Sequence, residues 1–101
     1  MGKEICVNGF GMPWDGVYTI DFVRSSKESQ ADLWVNTDNT YWVWRNAFKW
    51  IITSNPHHVF EKYIVAEKMY DRNGEPALNY VDGNYTGVNG NPNGNIKLGV
   101  C

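Results

Sequence analysis

The chain has 101 residues, enough for one domain with its own core and too few for two. Its formal net charge of −2, with nine Lys and Arg scattered along it, argues against a phosphate-binding surface and hence against a nucleic-acid partner. No apolar run approaches the roughly 18 residues of a membrane span, so membrane insertion is not expected.

Read in chain order, the predicted strands are 4–7, 16–23, 31–36, 40–45, 48–53, 59–69, 77–81 and 96–100. They are separated by Asx-Gly pairs at Asn8-Gly9, Asp15-Gly16, Asn73-Gly74, Asp82-Gly83, Asn89-Gly90 and Asn93-Gly94. These dipeptides supply the positive φ angles of tight turns. Short strands punctuated in this way describe a single all-β domain over residues 1–101, an antiparallel β-sandwich or small barrel. The segment 59–69 has a helical alternative, because Val59, Tyr63 and Ala66 recur at i, i+4 and i+7. The stretch Gly83 to Asn95, rich in Asn and Gly, reads as a long mobile loop and as the alternative contact element to the tryptophans.

Cys6 and Cys101 lie in strand-like runs at opposite ends of the chain. If those strands pair, a disulfide is within reach, and two free thiols are the alternative. The sequence Asp15-Gly-Val-Tyr-Thr19 recurs as Asp82-Gly-Asn-Tyr-Thr86. An offset of 67 residues leaves no room for two modules, so the echo reads as repeated turn-then-strand chemistry with the tyrosine capping a sheet edge.

Four of the five tryptophans, Trp34, Trp42, Trp44 and Trp50, fall in a central three-stranded meander. A three-residue loop Thr37–Asn39 and a two-residue loop Asn46–Ala47 place Leu33, Val35, Tyr41, Val43, Phe48, Trp50 and Ile52 on one face. The other face carries Asp32, Trp34, Trp42, Trp44, Lys49, Ile51 and Thr53. The first is a core face. The second is expected to form an aromatic platform of Trp34, Trp42 and Trp44, with Lys49 as a cation–π partner and Asp32 beside it. A bulge at Asn39 would move Trp34 across. These five residues are the candidate ligand- or partner-binding set.

Catalytic and metal chemistry find little footing. His57-His58 are adjacent and point opposite ways along an extended chain, so they rarely share a metal. Asp82–Gly87 matches only the start of a calcium loop, with Asn93 where a bidentate glutamate is needed. Asp71, Asn73 and Glu75, or Asp82 with Asn84, are weaker calcium options. No two carboxylates are spaced as an acid–base pair. The expectation is no enzyme, no cofactor and no metal.

The succession Val7-Asn-Gly9, Asp15-Gly-Val-Tyr-Thr19, Leu33-Trp-Val, Tyr41-Trp-Val-Trp and Lys49-Trp-Ile-Ile resembles small all-β modules of bacteriophage tail, fibre and head-decoration proteins. The likeness covers residues 5–53. It implies a non-enzymatic particle protein, in a virion or extracellular, with the cytoplasm as the alternative location, and it carries over no catalytic residues. The expected partners are other structural proteins, further copies of the chain, or a surface glycan. A carbohydrate-binding module stacking sugars on the tryptophans is the alternative function.

Overall fold

The computed structural model describes residues 4–21, 33–46, 49–54, 61–69 and 81–101. Eight strands run β1 (Ile5–Asn8), β2 (Gly16–Ile20), β3 (Trp34–Asn36), β4 (Trp42–Asn46), β5 (Lys49–Thr53), β6 (Ile64–Met69), β7 (Gly83–Gly87) and β8 (Gly94–Leu98). Each pairs antiparallel with the next, and β8 returns to pair with β1. The sheet is thus a closed up-and-down barrel, not a sandwich. The described parts of predicted strands 16–23 and 59–69 are staves of this barrel, β2 beside β3 and β6 beside β5.

Closure pairs each of the eight described strands on both sides, and eight strands enclose a lumen that side chains can just fill. Every strand contributes to that filling. Ile5, Val7, Tyr18, Trp34, Val43, Trp50, Ile52, Ala66, Tyr85 and Ile96 form one buried cluster, with Phe10 and Val81 from the connecting loops. The rings of Trp34 and Trp50 meet at 5.8 Å inside it.

Segment 61–63 is a 3-10 turn and 64–69 a strand, so the described part of 59–69 forms no α-helix. Of predicted strand 77–81, only Val81 is described. It is buried, outside any strand.

The largest correction concerns Gly83–Asn95. That stretch contains all of β7 and the start of β8. The echo explains why. Gly16 and Gly83 open β2 and β7 with φ of 142° and 133°, a region side chains rarely adopt. Two residues on, Tyr18 and Tyr85 point inward and are almost wholly buried. Tyr18 Oη donates to the Trp14 carbonyl at 2.8 Å, and Tyr85 Oη to the Val81 carbonyl at 2.6 Å. Each tyrosine thus bonds the backbone four residues upstream, the geometry of a tyrosine corner. The tyrosines therefore tie the entry of each strand to the core, and do not cap a sheet edge.

The barrel closes through the register Ile5↔Leu98, Cys6↔Lys97, Val7↔Ile96 and Asn8↔Asn95. Cys6 and Cys101 are disulfide-bonded, with Cα atoms 5.1 Å apart. The covalent link therefore lies across the seam where the first and last strands meet.

Candidate functional site

The tryptophans divide between two faces. The first hairpin has a four-residue loop, Thr37–Thr40, because Asn36 and Tyr41 pair through Asn36 N–H to Tyr41 carbonyl at 3.1 Å. The Asn36 carboxamide oxygen accepts from the N–H groups of Thr40 and Tyr41, and Asn39 takes the left-handed conformation at φ 57°. One residue more than expected in the loop reverses parity. Trp34 now pairs with Val43 and enters the lumen, while Val35 pairs with Trp42.

The second loop is also displaced, with Asn46 opposite Lys49 and Trp44 opposite Ile51, but its parity is unchanged. Trp42 and Trp44 share the outer face, as alternation predicts. That face is nonetheless covered. Trp42 and Trp44 are 7% and 8% exposed and pack with Leu33, Val35 and Ile51 in a second buried cluster. Trp44 Nε1 donates to Thr53 Oγ1 at 2.8 Å, which satisfies that buried indole nitrogen.

Lys49 does not serve Trp44. Its ammonium lies 3.1 Å from Glu67 Oε1 on β6, a partly exposed ion pair that contributes little stability. Asp32 lies outside the described residues, as do His57, His58, Asp71, Asn73 and Glu75. The expected platform is therefore not assembled. Its three rings lie on two faces, and none is open to a sugar.

This burial has a direct optical consequence. Acrylamide should quench the tryptophan emission only weakly, with half-buried Trp14 supplying most of the accessible fraction. A Trp14→Phe variant should lose that fraction. Strong quenching that survives the substitution would show that the buried rings are reachable.

Open relief described by the structure lies on the opposite side of the barrel, along β1 and β8. A groove of about 570 Å³ runs there, lined by Cys6, Asn8, Asp15, Gly16, Lys97, Leu98, Val100 and Cys101. Asp15 is a structural wall. Its carboxylate accepts from the N–H groups of Gly9, Phe10 and Gly11 at 3.0–3.2 Å and so holds the β1–β2 connection. Leu98 and Val100 are 67% and 70% exposed, an apolar shoulder on the groove. Lys97 is exposed and, among the described residues, has no ion pair or hydrogen bond for its ammonium.

Sequence reasoning passed over this face because its residues are ordinary singly. The alternation Asn95-Ile96-Lys97 was the available signal, since it places Ile96 inward and both polar neighbours outward. Among the described residues, no group of three or more His, Cys, Asp or Glu could hold a metal. The Asp82 carbonyl already accepts from the Lys68 ammonium, and Asn84 is exposed on the outer face of β7.

Compared with known families, curated proteins and solved structures, the chain matches none in any of the three.

Proposed function

We propose that the protein is a non-enzymatic structural or attachment component of an extracellular particle such as a virion. It acts by surface contact with other structural proteins, with its own copies or with a host surface. The observation that carries this reading is the Cys6–Cys101 disulfide across the barrel seam. Such bonds persist in oxidising surroundings and are rare in reducing cytosol. The closed sheet favours the same setting, because it offers no strand edge to stray pairing. The lumen is occupied by core side chains, so the residues available for contact are on the outer wall. The likeness of residues 5–53 to phage particle modules points the same way.

Density-gradient fractionation of particles from the producing culture, probed with an antibody to the chain, tests the reading. The chain should co-sediment with particles through a high-salt wash, with its cysteines oxidised. Recovery only from the soluble cell fraction, with both thiols free, would overturn it.

A further inference from the structure

Three asparagines stand side by side across the seam. The registers Asn8↔Asn95 and Asn84↔Asn95 place them on adjacent strands β1, β8 and β7. Their inward neighbours Val7, Ile96 and Tyr85 are buried, so all three share the outer wall. Adjacent strands are roughly 4.8 Å apart, so the row presents carboxamides at that interval.

What distinguishes this row is that its amides do nothing for the fold. Asn36 caps its hairpin through Thr40 and Tyr41, and Asn89, Asn91 and Asn93 hold backbone groups of Ile64, Val88 and Gly87. Among the described residues, the side chains of Asn8, Asn84 and Asn95 have no hydrogen-bond partner. Asn95 Oδ1 is shielded from solvent, so within the row Asn8 and Asn84 present the fully open amides. Lys97 continues the same face two residues along β8, its ammonium unpaired, with the groove and its apolar shoulder beside it.

We infer that the Asn8–Asn95–Asn84 row with Lys97 is a binding site for an acidic glycan. A carboxamide both donates and accepts, as does a sugar hydroxyl, so a row of amides matches a row of hydroxyls along a pyranose chain. Lys97 supplies the single positive charge that a uronic or sialic acid carboxylate requires. Leu98 and Val100 offer a surface for the apolar C–H face of a ring. A polyphosphate or nucleic acid would need several cations at this face. The inference rests on the attachment reading and names what is contacted.

The test uses the intact oxidised protein, labelled with 15N, titrated with oligogalacturonate and with sialyllactose, and with neutral lactose as the comparison. Addition of one acidic probe should shift the side-chain amide signals of Asn8, Asn84 and Asn95, with lactose binding at least tenfold more weakly. Lys97→Ala should abolish the preference for the acidic probe, and Asn8→Ala/Asn84→Ala should weaken binding at least tenfold. All three of these positions are exposed, so the variants should fold as the parent does. Unmoved amide signals at millimolar concentrations of both acidic probes, or full binding by the double variant, would overturn the inference. Particle co-sedimentation retained under either of those results would leave the attachment reading standing.

Discussion

Reducing the Cys6–Cys101 bond should lower the melting temperature by at least roughly 10 °C. The bond joins residues 95 apart in sequence, so it closes nearly the whole chain into one loop. In the chain-entropy account a loop of roughly 100 residues is stabilised by about 4.7 kcal/mol, and loss of a native disulfide from a small domain costs about 2–5 kcal/mol. A domain of this size loses about 4–8 °C per kcal/mol. The seam keeps its β1–β8 ladder after reduction, so the reduced barrel should be folded at room temperature and fail on heating. Scanning calorimetry of the oxidised chain against Cys6→Ser/Cys101→Ser measures the effect. A difference under a few degrees would mean that the ladder alone carries the closure.

How much of this was legible depends on which rule governed each stretch. Alternation assigned Val43, Trp50 and Ile52 to the core and Trp42, Trp44, Lys49 and Ile51 to the other face. It survived an incorrect hairpin position because the displaced pairing preserved parity. The same rule failed for Trp34 through a single residue. Thr37, Asp38, Asn39 and Thr40 are all turn formers, so the sequence does not count how many of them belong to the loop. Asn39 at φ 57° decided it. Leu33 and Val35 crossed in the opposite sense for the same reason, from the expected core face to the cluster with Trp42 and Trp44, where Ile51 was already expected. Periodicity tells which face a side chain takes, and it is silent on what covers that face.

Strand β7 and the start of β8 were missed because composition outweighed pattern. Asn and Gly are poor strand formers on average, yet strand preference mostly reflects the neighbours a side chain meets. In β7 the neighbours are β6 and β8, and Tyr85 anchors the strand in the core. The repeat of Asp-Gly-x-Tyr-Thr announced β7, since its first copy already lay in a predicted strand. The asparagine row was invisible for a related reason: it exists only because β8 inserts between β1 and β7, a pairing that no local window contains.

The paired tyrosine corners also set how the barrel meets alkali. Burial holds the Tyr18 phenol well above its ordinary range, with Tyr41 and Asp15 adding to the effect. Burial does the same to Tyr85, reinforced by Asp82. A phenol raised in the folded chain keeps its proton after the unfolded chain has lost it at pH of about 10. Stability from this source is therefore whole below about pH 10 and falls as pH rises toward the folded values. Each tyrosine contributes a slope of about 1.4 kcal/mol per pH unit, and the two together about 2.7. Lys68 acts oppositely. Burial lowers its pKa, with Asp82 opposing, so the unfolded chain binds the extra proton and stability rises with pH until about 10.4. Above that, among the described groups with a shift, only the tyrosine slope remains. Urea titrations at successive pH values from 8 to 12, followed by tryptophan fluorescence, should show this steep loss. The variant Tyr18→Phe/Tyr85→Phe should be less stable at neutral pH by about 1–3 kcal/mol per site, because the Trp14 and Val81 carbonyls lose their donors. Its alkaline slope should nevertheless be much shallower, so the two stability curves converge as pH rises. Parallel curves would place the alkaline sensitivity elsewhere in the molecule.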